Sequence, residues 1–124
     1  MNEEKKVLVV ESDPFLIRLL RAKLKQYGIA SLGEEDGKHV FNTAKREKPA
    51  LIVMEPVLPR KDGFKVLQEL REDKETKDIP VCVLTKLDSP EDKERCMELG
   101  ARECCIKMDT HFGDFVNKVA AYVK

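Results

Sequence analysis

The sequence predicts a five-stranded, doubly wound parallel α/β domain. Three observations lead there. Short apolar runs alternate with longer amphipathic segments five times along 124 residues. The strongest runs, "VLVV", "LIVM" and "VCVL", are apolar at every position, as strands covered on both faces must be. The segments between them carry helix start and stop signals, so each strand leads into a crossover helix. With right-handed crossovers, helices then cover both faces of one sheet.

Each element follows in order. "KVLVVE" (6–11) reads as the first strand, too short for a helix and rich in valine. "DPFLIRLLRAKLKQYG" (13–28) opens on an aspartate cap, places Pro14 at the first helical position and ends at Gly28. "IASLG" (29–33) is a short, weak strand, and residues 37–47 form a charged helix with Val40, Phe41 and Ala44 at helical spacing. "ALIVME" (50–55) is the second strong strand, followed by a helix over 63–73 with Phe64, Val66, Leu67 and Leu70 inward. "IPVCVLT" (79–85) is the third. In "SPEDKERCMELG" (89–100) serine caps, Pro90 takes the first position, acids fill the first turn and Gly100 stops the helix. "ECCIK" (103–107) is the last strand. The final helix sets Phe112, Phe115, Val116, Val119, Ala120 and Val123 along one apolar stripe.

Composition narrows the function. A chain of 124 residues has the usual size of one domain, and no linker, repeat or low-complexity tract divides 1–124. Charged residues make up 37% of it, yet Lys+Arg and Asp+Glu are equal at 23 each. That balance gives no electrostatic reason to expect nucleic acid or an anionic membrane as partner. No apolar run is long enough to span a bilayer. "MNEEKKVLVV" has acids where a signal peptide needs a basic segment, so a cytoplasmic protein is expected. Cys82, Cys96, Cys104 and Cys105 fit neither a disulfide framework nor a zinc spacing, and are read as buried, reduced thiols. His39 and His111 lack metal-like neighbours and are read as surface residues.

In a doubly wound sheet, chemistry gathers at the carboxyl ends of the strands. Those ends carry Glu11-Ser12-Asp13, Glu55, Thr85 and Lys107. Acids, a hydroxyl and an ammonium therefore converge on one crevice, which is the candidate site.

The segments "VLVVESDPF", "MEPVLPRKDGF", "VLTK" and "LGARECCIK" stand in the order and spacing of a known pattern. On them the whole chain resembles the receiver domain of bacterial response regulators, in particular the single-domain chemotaxis type. The resemblance implies a flavodoxin-like (βα)5 fold with strand order 2-1-3-4-5. It also implies a role in two-component phosphorelay signalling rather than as an enzyme. In the family two acids hold magnesium, an aspartate accepts the phosphoryl group, and a hydroxyl and a lysine receive its oxygens. Carried over, Thr85 and Lys107 match the last two, and Glu11 keeps one acid of the metal pair. Ser12 stands for the second acid and Glu55 for the acceptor aspartate. Met108 replaces a proline after the lysine, Cys104 sits at the aromatic switch position, and Pro56 follows Glu55 directly.

Glu11, Glu55 and Lys107 leave the pocket near −1, with a neutral hydroxyl where a ligand should be. No magnesium and no other cofactor is therefore expected, with Glu11 at most a residual ligand. The leading expectation is an atypical, pseudo-receiver module with Glu55 imitating the phosphorylated aspartate. Its carboxylate would reach toward Lys107 and Thr85, bearing one charge where a phosphate bears more. Glu55 serving only to pair with Lys107 in the fold, and phosphate acceptance at a weakened magnesium site, stay open beside it. So does a thiol redox sensor at Cys104-Cys105. Ser12 is read as a simple residue at the start of its helix, and Thr85 equally as a cap on its own loop. The resemblance implies a protein partner (a sensor kinase, scaffold or output protein) at the face of residues 89–123. The module is expected to be a monomer or weak homodimer.

Overall fold

The computed structural model describes residues 5–107 and 111–123. The chain runs β1 (Lys6–Val10), α1 (Pro14–Gln26), β2 (Ala30–Glu34), α2 (Val40–Glu47), β3 (Leu51–Met54), α3 (Gly63–Glu72), β4 (Val81–Thr85), α4 (Pro90–Glu98), β5 (Glu103–Ile106) and α5 (Phe112–Val123). The strands form one parallel sheet in the order β2-β1-β3-β4-β5. This is the flavodoxin-like (βα)5 fold, as expected. Met108 lies outside the described residues.

Strand side chains alternate between faces, and the two resulting cores are separate. Val7, Val9, Leu51, Val53, Cys82 and Leu84 pack under α1 and α5, against Ile17, Leu20, Leu24, Phe115 and Val119. Leu8, Val10, Ile52, Met54, Val81 and Val83 face the other way, against Val40, Phe64, Leu67, Leu70 and Cys96. β1 and β3 are central, so their residues are buried on both faces, which is why they read as unbroken apolar runs. The α5 stripe is buried at Phe115, Val116, Val119, Ala120 and Val123, while Phe112 is half-buried at its start.

Several boundaries differ from the sequence reading for identifiable reasons. α2 begins at Val40 rather than at 37. Asp36 Oδ1 accepts from the Lys38 N–H at 2.8 Å, holding a turn there. Gly37 also passes so close to the next loop that a Cβ would lie 2.0 Å from the Lys61 carbonyl oxygen. β4 begins at Val81 rather than at 79. The Ile79 N–H turns back to Thr76 O at 3.0 Å, and Pro80 has no N–H to give. α4 stops at Glu98, and Gly100 follows with φ +94°.

The sheet's ends are set by capping. Asp13 Oδ1 accepts from the Phe15 N–H at 2.9 Å, and Asp62 Oδ1 from the Phe64 N–H at 2.7 Å. Ser89 Oγ accepts from the Asp92 N–H at 3.1 Å. These caps place the first turns of α1, α3 and α4 directly beyond the strand ends that carry the candidate residues.

Candidate functional site

Glu11 directly follows β1, Glu55 directly follows β3, Thr85 closes β4 and Lys107 directly follows β5. Adjacent parallel strands bring these positions side by side. The Glu55 N–H donates to Val10 O at 2.9 Å, and the Lys107 N–H to Thr85 O at 2.6 Å, so the pairing of the sheet continues to the candidate residues themselves.

The side chains converge. Lys107 Nζ lies 2.6 Å from Glu11 Oε1 and 3.1 Å from Glu55 Oε2. The Thr85 hydroxyl donates to Glu55 Oε1 at 3.3 Å, and the Val57 N–H donates to the same oxygen at 3.0 Å. Glu11 Oε2 accepts from the Asp13 N–H at 3.1 Å. Glu11, Glu55 and Thr85 are 4%, 2% and 1% exposed, so both carboxylates are held by protein donors rather than by water. Lys107 stays partly exposed, its stem beside Leu16, Leu84, Phe112 and Phe115. The Glu55 Oε2 contact is an ion pair and not an aligned hydrogen bond, since that oxygen accepts none among the described residues. Burial alone would lower the Lys107 pKa. The hydrogen bond and charge of Glu11, then the close charge of Glu55, outweigh it, and the net shift is upward.

Two sequence readings are sharpened here. The sequence reading paired Lys107 with Glu55, yet Glu11 is nearer. Thr85 caps its own loop as well as donating to Glu55, because its Oγ1 also accepts from the Leu87 N–H at 2.9 Å. Ser12 is exposed and outside the cluster, and the Asp13 side chain caps α1. Among the described residues, no three His, Cys, Asp or Glu side chains are grouped to hold a metal ion. His39 and His111 are exposed.

Cys82 and Cys96 are buried as expected, but Cys104 and Cys105, adjacent on β5, are only partly buried and turn their side chains to opposite faces of the sheet. Cys104 packs with the core under α2, α3 and α4, and Cys105 with the core under α1 and α5. Burial raises the pKa of both thiols.

Sequence reasoning missed the basic character of α1, which holds Arg18, Arg21, Lys23 and Lys25 and no acid. With β2 it lines a concavity of ≈ 580 Å³ that contains none of the clustered acids. A charge count per helix, instead of over the whole chain, would have found it.

Residues 7–118 match the response regulator receiver domain family. The chain belongs to that family. Receivers are regulatory modules of two-component signalling, not enzymes. The chain is 36% identical over 103 residues to the alkaline phosphatase synthesis transcriptional regulatory protein PhoP of Bacillus subtilis, covering 83% of this chain and 42% of that protein. It is 33% identical over 95 residues to the response regulator protein GraR of Staphylococcus epidermidis, covering 77% of this chain and 41% of that protein. The receiver thus spans about two-fifths of the length of these relatives. Among solved structures, the BeF3-activated receiver domain of Klebsiella pneumoniae RstA superposes with a TM-score of 0.86 at 28% identity, covering 97% of this chain and 99% of that one. No described helix of this receiver is long and apolar enough to cross a membrane.

Proposed function

We propose that residues 1–124 form a single receiver domain that signals through protein contacts without phosphoryl transfer. The observation that carries this reading is the engagement of Lys107 and Thr85. The two groups that would receive phosphoryl oxygens are already bound to the Glu55 carboxylate, at 3.1 and 3.3 Å. In this reading Glu11, Ser12, Glu55, Thr85 and Lys107 make up a degenerate phosphorylation pocket, and Cys104 occupies the switch position. Glu55 supplies −1 and two acceptor oxygens, which biases a two-state switch toward its phosphorylated form without saturating it.

The donor set does not suit the family's magnesium ion. Ser12 offers an exposed neutral hydroxyl where an acid would be needed, and the Lys107 ammonium already bridges the two remaining carboxylates. An acceptor lengthened by one methylene also misplaces in-line attack. The partner is a protein: a sensor kinase, scaffold or output protein in the cytoplasm. It docks on the face built from residues 89–123, where Met97 stands 44% exposed on α4. The thiol-sensor reading gains nothing from the geometry, because Cys104 and Cys105 face opposite cores and burial raises both thiol pKa values, against thiolate formation.

Acetyl phosphate with magnesium, followed by intact-mass measurement, tests the proposal. No added phosphoryl mass is expected on the wild type. A phosphorylated species abolished by Glu55→Gln would overturn it in favour of an accepting receiver with a weakened metal site.

A further inference from the structure

β2 is an edge strand, paired only with β1, so one side of its backbone is open. Glu34 O faces inward, where it accepts from the Glu11 N–H at 3.1 Å. Strand alternation therefore turns the backbone groups of Ser31 and Gly33 outward, and Gly33 is exposed. Beside that edge, Arg18, Arg21 and Lys25 stand at i, i+3 and i+7 on an exposed face of α1. With Ile29 and Ser31 they line the concavity of ≈ 580 Å³. None of the three cations has an ion-pair partner among the described residues. Arg21 reaches across to the strand instead, donating from Nη2 to Ser31 O at 3.0 Å and from Nε to Ser31 Oγ at 3.1 Å. Glu35 shares the adjoining hollow with Arg18 and Arg21 and pairs with neither. On the other face of the sheet, Leu32 and Phe41 are half-buried at the rim of the second core.

We propose that the free edge of β2 and the basic face of α1 together dock an acidic, extended segment of a protein partner, which adds a strand to the sheet. Main-chain pairing at Ser31 and Gly33 supplies affinity, and alternate side chains supply selectivity. Residues of the added strand on the α1 side meet Arg18, Arg21 and Lys25, so they are Asp or Glu. Those on the other side lie over the face of Leu32 and Phe41, so they are apolar. The segment therefore alternates acid and apolar residues. In the free protein Arg21 covers Ser31 O, which keeps the edge from pairing indiscriminately. A partner N–H replaces Arg21 at that oxygen, and the released guanidinium turns to a partner carboxylate, so no hydrogen bond is lost. Nucleic acid fits less well, because three cations make few phosphate contacts and a chain of zero net charge adds no long-range attraction. Ala30 pairs with Lys6, at the end of β1 away from Glu11, so the floor of the groove lies apart from the acidic pocket. The groove also shares no lining residue with the face of residues 89–123. The inference thus adds a second docking surface to the proposed function and does not depend on what Glu55 does.

Fluorescence anisotropy on the full chain tests this, with a labelled peptide alternating Glu and Val over about eight residues as the probe. Saturation below about 1 mM peptide is expected, weakening as NaCl is raised, with slowed hydrogen exchange at the Ser31 and Gly33 amides. Arg18→Glu with Lys25→Glu should weaken binding at least about tenfold at an unchanged melting temperature. Should that reversal unfold the chain, Arg18→Gln with Lys25→Gln should still weaken binding at least about threefold. A peptide of the same composition with its Glu and Val in two blocks should bind at least about fivefold more weakly and protect neither amide. The inference is overturned if the alternating peptide does not bind, if it binds without protecting Ser31 and Gly33, or if the folded variants bind it as the wild type does. Tighter binding of a DNA oligonucleotide or of phosphatidylserine vesicles through the same cations would overturn it in favour of nucleic acid or lipid. A dimer of the wild type abolished by Arg18→Glu with Lys25→Glu would overturn it in favour of a second copy of this chain. Phosphoryl transfer to Glu55 would sink the proposed function and leave this inference standing.

Discussion

At the scale of single residues, the pocket is asymmetric in what its members contribute. Lys107 compensates two buried acids, whereas each acid is only one of two partners for Lys107. Lys107→Met should therefore cost about 3 kcal/mol or more in urea unfolding without added cation, since it strands buried charge. Glu55→Gln should cost less than about 1 kcal/mol, because Lys107 keeps Glu11 and the amide oxygen can still accept from Val57 and Thr85. Equal losses for the two variants would show that Lys107 does not neutralise both carboxylates. The pH sign follows from the upward shift of the Lys107 pKa. Its contribution is fully present below the ordinary value of 10.5 and is lost as pH rises through the higher folded value. The gap in stability between wild type and Lys107→Met should accordingly hold steady to about pH 10 and close above it.

At the scale of elements, the turn from β3 into α3 decides where the Glu55 carboxylate sits. The Val57 N–H holds Glu55 Oε1, the Gly63 N–H donates to Pro56 O at 2.7 Å, and Asp62 caps the helix. A Cβ on Gly63 would lie 2.6 Å from Pro56 Cα, so the loop can close only over glycine. Gly63→Ala should destabilise by about 2 kcal/mol and displace Glu55 from Thr85 and Lys107, seen as loss of the Thr85 hydroxyl proton's protection in NMR. Asp62→Ala should cost about 1 kcal/mol through the lost cap, with the pocket contacts retained. At the far side of the sheet, Phe115→Ala should cost about 3–5 kcal/mol, because Phe115 anchors α5 on β1 and β3 at 2% exposure.

At the scale of the whole molecule, alkaline sensitivity is built into the two cores. Burial pushes the Cys82 thiol, on one face of the sheet, up to about 12 from 9.0, and does the same to Cys96 on the other. The unfolded chain releases these protons first, so stability falls as pH rises above 9 and continues to fall toward 12. Unfolding free energies from urea titrations should drop by up to about 1.4 kcal/mol per pH unit for each thiol in that window, and Cys82→Ala should flatten the slope. A slope unchanged by that substitution would assign the loss to other groups.

The sequence by itself determined the strand and helix order, the doubly wound sheet and the four strand ends that meet. Unbroken apolar runs on the central strands and paired Asp-Pro, Asp-Gly and Ser-Pro helix starts are local signals, and local signals are written in adjacent residues. Its resemblance to receivers also raised the expectation that Glu55 and Ser12 stand at two of the family's acidic positions. Tertiary structure alone decided how the cluster is shared. Lys107 lies 96 positions from Glu11, and the 2.6 Å contact between them depends on the twist and register of β1 against its neighbours and on α5 under the lysine stem. The opposite facing of Cys104 and Cys105 was implicit in strand alternation, but which core each enters was fixed only once α4 and α5 had packed on opposite sides. Which carboxylate a single ammonium prefers is a matter of tenths of an ångström, and only the packed fold sets distances at that scale.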